Sequence, residues 1–377
     1  LNMDNEDVVE SKSPEITEQD TGVAVITTAT TMTTTTQPIA KGKVCQVSFP
    51  DISPLVSMIS VLESLLEEAP MSFIAPGYEC EMSRATQQKL VSEDVPSTPF
   101  SGLYFKCIDA SHTCLVIGKL SANVQIAKGT PIEDANITVP MNVLSSHLKS
   151  IDGGSTVQLF TTDNDPSLMI RSSSSMQSMH FRTTSINTTS TAQHDFDISG
   201  ISYDFTVEFD LRTFQNILRI AKLIKSEFIR IRVLVMPQST DVENNPTRTF
   251  LVINTYGLTS SDEHVFCSNT VDTSDDHVIV VKNAEDTIDI KDPNNDPANI
   301  LGSSLVSKYS GIFASDHLSS FLRNLEQPIV TLRISANMCH PMILTSALGD
   351  GHSFISFVLA AKEDMEAFPD TLVSFKM

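Results

Sequence analysis

The chain has 377 residues, 41 % of them hydrophobic, which is enough for two domains of ordinary size with real cores. A formal net charge of −21 excludes a general coat for nucleic acid or for an anionic membrane surface, though not a local basic strip. The six cysteines, Cys45, Cys80, Cys107, Cys114, Cys267 and Cys339, are scattered with no CxxC pair, which fits free thiols in a reducing compartment better than a disulfide framework or a zinc site.

No stretch reads as a secretory signal or a membrane span, so the sequons at Asn136 and Asn187 are expected to carry nothing. Residues 1–43 read as a disordered tail, acidic first and then almost pure threonine from Thr27 to Thr36, with little to bury. Order is expected from Val44, and residues 44–184 form a first domain. Val44 to Phe49 alternates as a strand; Ser53 as cap and Pro54 in the first turn open a helix striped by Leu55, Val56, Ile59, Leu62, Leu65 and Leu66. A short strand, Met71 to Ile74, precedes a polar insertion from Gly77 to Pro99. Strands Gly102 to Ile108 and Thr113 to Leu120 then pair about Asp109-Ala110-Ser111-His112. The pattern recurs with a strand at Asn136 to Val139 and a helix marked by Met141, Val143, Leu144, Leu148 and Ile151 that ends at Gly153-Gly154. A hairpin follows (Thr156 to Phe160, Leu168 to Arg171), then a strand from Met176 to Thr183. Residues 185–204 are a polar connector.

The second domain, residues 205–364, opens on the clearest strand–helix–strand of the chain, Phe205 to Val235. Leu211, Phe214, Ile217, Leu218, Ala221 and Ile224 form its helical stripe, and Asp210 stands where a cap is wanted. The other helix face carries Arg212, Gln215, Asn216, Arg219, Lys222 and Ser226, and no carboxylate. A solvated surface is the ordinary reading of such a face; a contact with phosphate is the sharper one. Arg230 and Arg232 are expected on the outward side of the next strand. Strands Phe250 to Thr255, His264 to Val271 and His277 to Lys282 follow. The acidic Asp286 to Asn299 stretch matches no known calcium loop and reads as turn chemistry. A fourth unit has a strand at Tyr309 to Phe313, a helix striped by Leu318, Phe321, Leu322 and Leu325 with Asp316 near its start, and strands at Ile329 to Ser335, Met342 to Ala347 and Phe354 to Ala360. Residues 365–377 are a C-terminal tail.

The fold class is therefore α+β: four strand–helix–strand units, two per domain, each helix burying its stripe on antiparallel sheet. Two such domains make an arc of sheet lined by helices, and an arc with unlike ends closes by head-to-tail association.

Three stretches in this order resemble the proliferating cell nuclear antigen family of DNA sliding clamps. They are Gly102-Leu103 through Ile108-Asp109-Ala110-Ser111-His112-Thr113-Cys114-Leu115-Val116, the helix segment Leu144-Ser145-Ser146-His147-Leu148-Lys149, and Phe354 to Lys362. The resemblance covers roughly Val44 to Asp364 without the insertions. It implies two similar clamp domains with sheets outside and two helices each on the inner face of a homotrimeric nuclear ring around duplex DNA. A clamp loader would place the ring, and DNA polymerase and other replication and repair proteins would be tethered to it. Matched to the family, Lys149, Arg219 and Arg323 face phosphates, joined by Arg212 and Lys222, with His147 and His317 as helpers. Ile59, Ser60 and Leu66 stand where the family has lysines. The partner-peptide pocket maps to Ile108, Thr113, Leu115, Ile198, Gly200, Ile201, Pro341, Phe357, Val358 and Ala360, with Ala361 in the tail. Subunit contact maps to Met176–Arg182 against His264–Asn269 of the neighbour, with Ser178, His180, Arg182, His264, Phe266 and Ser268 at the joint.

Enzyme chemistry finds no support. No Walker loop, GxGxxG, HExxH or GxSxG is present, the nine histidines are dispersed, and His112 reads as a turn histidine. No catalytic residue, cofactor or metal is expected. Two other classes remain open: a checkpoint-type subunit of a ring of unlike chains, and a monomeric viral processivity factor.

Overall fold

The computed structural model describes residues 42–75, 100–130, 135–235, 248–281 and 306–362, apart from 110–112, 153, 164, 175–179, 190–200, 202, 258–259, 270–276, 336, 338–339 and 350–351. Every described residue lies in one compact unit, Ile39–Met377. The threonine tail, the Gly77–Pro99 insertion, His112, the Asp286–Asn299 stretch and the candidates Ser178, Ile198 and Gly200 fall outside the described residues.

The first half runs β1 (Lys43–Phe49), α1 (Ser53–Leu65), β2 (Glu68–Ile74), β3 (Gly102–Ile108), β4 (Cys114–Ser121), β5 (Asn123–Ile126), β6 (Asn136–Pro140), α2 (Met141–Lys149), β7 (Thr156–Thr162), β8 (Asp165–Ser174) and β9 (His180–Asn187). The second runs β10 (Phe205–Asp210), α3 (Leu211–Leu223), β11 (Phe228–Val235), β12 (Arg248–Tyr256), β13 (Ser261–Asn269), β14 (His277–Val281), β15 (Val306–Ala314), α4 (Ser315–Arg323), β16 (Ile329–Ile334), β17 (Met342–Leu348) and β18 (Ser353–Leu359). Three sheets result, in the orders β5-β1-β7-β8-β9, β14-β10-β16-β17-β18-β4-β3-β2-β6 and β13-β12-β11-β15. Strands pair antiparallel throughout, save that β14 runs parallel to β10.

The nine-stranded sheet joins the halves. Its central pairing is β4 with β18, from Cys114 opposite Leu359 to Lys119 opposite Phe354. Among the described residues four helices form one layer in the order α2, α1, α4, α3. Their apolar stripes enter a single core that includes Leu55, Ile59, Leu62, Leu144, Leu148, Phe214, Leu218, Phe321 and Leu322. Gly118 of β4 keeps that contact close: a Cβ there would meet the Met58 sulfur at 3.1 Å.

Helix ends differ in detail from expectation. Asp210 does cap α3, its Oδ2 accepting from the Thr213 amide at 2.9 Å and the Thr213 hydroxyl at 3.0 Å. Ser53 does not cap α1; it lies inside the first turn, and Asp51 Oδ1 accepts from its amide and hydroxyl. The carboxylate two residues earlier takes the first exposed N–H of the helix, and the serine hydroxyl is spent on the same oxygen. α2 stops at Lys149 with Ser150 as C-cap, ahead of the glycine pair.

Candidate nucleic-acid face and apolar patch

The helix surface turned away from the sheets divides sharply in charge. On α3, Arg212, Arg219 and Lys222 are exposed, and on α4 so is Arg323. The fold explains the placement: core spacing on α3 sends Phe214, Ile217, Leu218 and Ala221 inward, so the residues between them point out. Between α3 and α4, Gln215 Nε2 donates to the Leu322 carbonyl at 2.8 Å.

The first half offers less positive charge. Lys149, at the end of α2, is exposed, but its ammonium meets Glu63 Oε2 of α1 at 2.9 Å. The same oxygen accepts from Ser145 Oγ at 2.6 Å. These contacts, the Ser145 hydroxyl first and Lys149 second, hold the Glu63 carboxyl below the usual carboxylate range. α1 carries no lysine or arginine. Of the three positions matched to the family's lysines, Ile59 and Leu66 are in the core and only Ser60 reaches the surface in part, so that match does not describe a ligand-facing set. The residues that do face outward here are Ser60, Glu63 and Ser64 of α1 and Glu67 just beyond its end.

The two histidines have separate positions. His147 is half-buried on α2. His317 Nε2 lies 3.4 Å from Asp109 Oδ2 and 3.3 Å from the Thr113 hydroxyl, so it ties the start of α4 to the β3–β4 turn. Arg230 and Arg232, expected outward, are instead largely covered. Arg230 Nε donates to Ser310 Oγ at 2.9 Å, and Arg232 Nη2 donates to Asn254 Oδ1 and Glu263 Oε2 at 2.9 and 3.0 Å. A cation turned from the core still needs acceptors once neighbouring strands cover it, and these supply them.

On the opposite face of the nine-stranded sheet lies a second, smaller apolar cluster. It comprises Ile74, Tyr104, Leu115, Ile117, Ile343 and Val358, flanked by Phe100, Ile108 and Tyr203. Strand register builds it as a transverse row: Ile108 opposite Leu115, Leu115 opposite Val358, Val358 opposite Ile343. Of the residues matched to the partner pocket, Ile108, Leu115 and Val358 therefore meet here. Phe357, the neighbour of Val358, must point to the other face by strand alternation, where it stacks on Phe321 with centroids 4.9 Å apart. It is a core residue and does not line the patch. Thr113 turns its hydroxyl to Asp109 and His317, while its carbonyl accepts from the Ala360 amide at 3.2 Å. Ile201 and Pro341 are half-buried and Ala360 is exposed. Sequence reasoning does not single out Ile343 and Tyr203; the alternation of β17 is the signal that could find Ile343. Burial pushes the Tyr203 phenol up to about 12 and lowers Arg333.

β9 and β13 each end a sheet. Arg182 is exposed on β9, its Nη1 donating to Ser150 Oγ at 3.2 Å. On β13, His264 Nε2 stands 3.1 Å from Asp262 Oδ2, and the Phe266 ring packs edge-on against Phe209 at 5.3 Å. The Phe266 side chain thus serves the core, and β13 offers its backbone there. His180 and Ser268 are placed on these two strands by backbone.

No protein-family profile matches the sequence. No curated protein sequence matches it either. Solved structures do. The crystal structure of proliferating cellular nuclear antigen (PCNA) from Entamoeba histolytica aligns at 14 % identity over 85 % of this chain and 99 % of that one, with a TM-score of 0.55. The PCNA2–PCNA3 complex from Sulfolobus tokodaii aligns at 12 % identity over 84 % and 99 %, with a TM-score of 0.53. The chain has the sliding-clamp fold of those structures.

Proposed function

We propose that the chain is a DNA sliding clamp: it closes with copies of itself into a homotrimeric ring, encircles duplex DNA and tethers DNA polymerase and other replication and repair proteins in the nucleus. The observation that carries this is the cation cluster Arg212, Arg219, Lys222 and Arg323, exposed on one helix layer of a chain whose net charge is −21. Phosphate contacts of that kind position a duplex without reading its sequence, which suits a sliding contact. Tethering would use the patch of Ile108, Leu115, Ile343 and Val358, which fits a short apolar peptide, and a clamp loader would open the ring.

The internal repeat supports self-closure. The sheet orders β1-β7-β8-β9 and β10-β16-β17-β18 correspond, as do β6-β2-β3-β4 and β15-β11-β12-β13. The β18–β4 joint inside the chain therefore has as its counterparts β9 and β13, each the last strand of its sheet. The α4–α1 contact likewise has α2 and α3 as counterparts, the two ends of the helix layer. At about 100° per residue, Val143 lies on the flank of α2 away from α1, and Ile220 on the flank of α3 away from α4. Head-to-tail association would repeat between chains the joint already made within one, and would cover both edges.

Light scattering of the purified chain, with retention on circular against linear duplex, tests this reading. A homotrimer mass with retention on circles and loss from linear ends is expected. A single-chain mass with equal retention on both forms would overturn it. The Sulfolobus tokodaii complex of PCNA2 with PCNA3 favours one alternative, a ring of unlike chains, for which the chain alone would stay smaller than a trimer.

A further inference from the structure

The helices pair by position, α1 with α3 through their buried spacing and α2 with α4 through their sequence. Leu55, Met58, Ile59 and Leu62 of α1 repeat the buried spacing of Phe214, Ile217, Leu218 and Ala221 of α3. Ser60 and Glu63 then fall where α3 has Arg219 and Lys222. On α2 and α4, Leu144-Ser145-Ser146-His147-Leu148-Lys149 corresponds to Leu318-Ser319-Ser320-Phe321-Leu322-Arg323. The pair Lys149 and Glu63 in the first half thus corresponds to Arg323 and Lys222 in the second. One pair neutralises itself; the other is two cations that an anion would draw together.

We infer that Glu63 is an attenuator of the DNA grip: it occupies the Lys149 ammonium in place of a backbone phosphate, so that phosphate contact falls to the α3–α4 half of each chain. The inference rests on the proposed clamp reading. The geometry is specific. Glu63 Oε2 is fixed by two donors from α2, Ser145 Oγ at 2.6 Å and Lys149 Nζ at 2.9 Å, so the carboxylate is held toward the lysine and does not sweep free in solvent. Both partners remain partly exposed, 53 % for Lys149 and 32 % for Glu63, so a phosphate can compete for the ammonium at the cost of that ion pair. Glu67 and Glu68 line the same depression of about 580 Å³ beside α1, with Pro140 and Asn142 from the β6–α2 junction, and add repulsion for a duplex approaching there. A ring with fewer phosphate contacts binds less tightly at a given salt and slides over a shallower potential.

The test uses Glu63→Gln, which keeps an oxygen for Ser145 while removing the charge. Two measurements are made on the full chain: the rate at which an amine-specific reagent labels Lys149, and the affinity for a short linear duplex of mixed sequence as salt is varied. Glu63→Gln is expected to speed Lys149 labelling, because the amine is released, and to raise affinity about 1.5- to 5-fold per chain, the range of an exposed ion pair. The slope of log affinity against log salt should steepen by about 0.9 for each additional phosphate neutralised. In a Lys149→Gln background the Glu63→Gln gain should vanish. A gain that persists there would be bulk charge and would overturn the attenuator; so would unchanged affinity of Glu63→Gln when the unaltered chain binds DNA. If neither the unaltered chain nor Glu63→Gln binds duplex at low salt, the clamp reading itself fails, while the labelling still reports whether the ion pair exists.

Discussion

Leu115 of β4 and Val358 of β18 stand opposite one another in register, one from each half of the chain, on the sheet face turned away from the helices. The two residues therefore join the halves and line the apolar patch at once. Leu115→Ala should cost about 2–4 kcal/mol, because the side chain is 6 % exposed and leaves a cavity. Half-buried Ile108→Ala should cost less and still weaken capture of a short apolar peptide. Urea unfolding with peptide binding on the same variants separates the effects; undiminished binding by Ile108→Ala would remove that residue from the docking surface.

Arg212→Glu with Arg219→Glu should leave unfolding within about 0.5 kcal/mol of the parent, because both side chains are exposed. The salt slope of DNA binding should become shallower by about 0.9 for each phosphate that is no longer neutralised. If polymerase stimulation and DNA affinity at moderate salt are unchanged, α3 does not face phosphate.

Val143 is 38 % exposed although it is a large apolar side chain on an end helix of the layer. Val143→Asp with Ile220→Asp should lower the mass in solution while circular dichroism stays that of the folded chain. A mass equal to the parent's would place subunit contact elsewhere.

Two carboxylates lie below their ordinary range: Asp51, through the amide and hydroxyl of Ser53, and Glu63, through Ser145 and Lys149. A depressed folded-state pKa contributes stability that is present above the unfolded value and lost as pH falls toward the folded one. Melting temperature should therefore begin to drop as pH enters the ordinary carboxylate range. Asp51→Asn and Glu63→Gln should each blunt that drop slightly, since Asp51 is exposed and Glu63 partly so. An acid limb identical in both variants and the parent would contradict these hydrogen bonds.

Cys107 and Cys114 are buried and free, and burial pushes the Cys107 thiol up to about 12 and raises Cys114 as well. Thiolate is the reactive form. Peptides containing these residues should stay unmodified by iodoacetamide at neutral pH in the native chain and become labelled on denaturation. Rapid native labelling at either position would mean that the β3–β4 hairpin opens readily.

Hydrophobic periodicity determined the helices and most of their buried stripes, because core burial imposes its spacing on the chain directly; it missed β5, and it put Val143 in the α2 stripe although that side chain is exposed. Asp210 as a cap was legible for the same reason: cap and first turn are neighbours in sequence. The exposed set Arg212, Arg219, Lys222 and Arg323 was also readable, being the complement of those stripes. Only the tertiary structure decided what lies across from what. It put Glu63 on Lys149, sent Phe357 to the core and Val358 to the patch, and covered Arg230 and Arg232. Each of these depends on register and on partners far away in the chain, and a one-residue difference in a strand exchanges its faces.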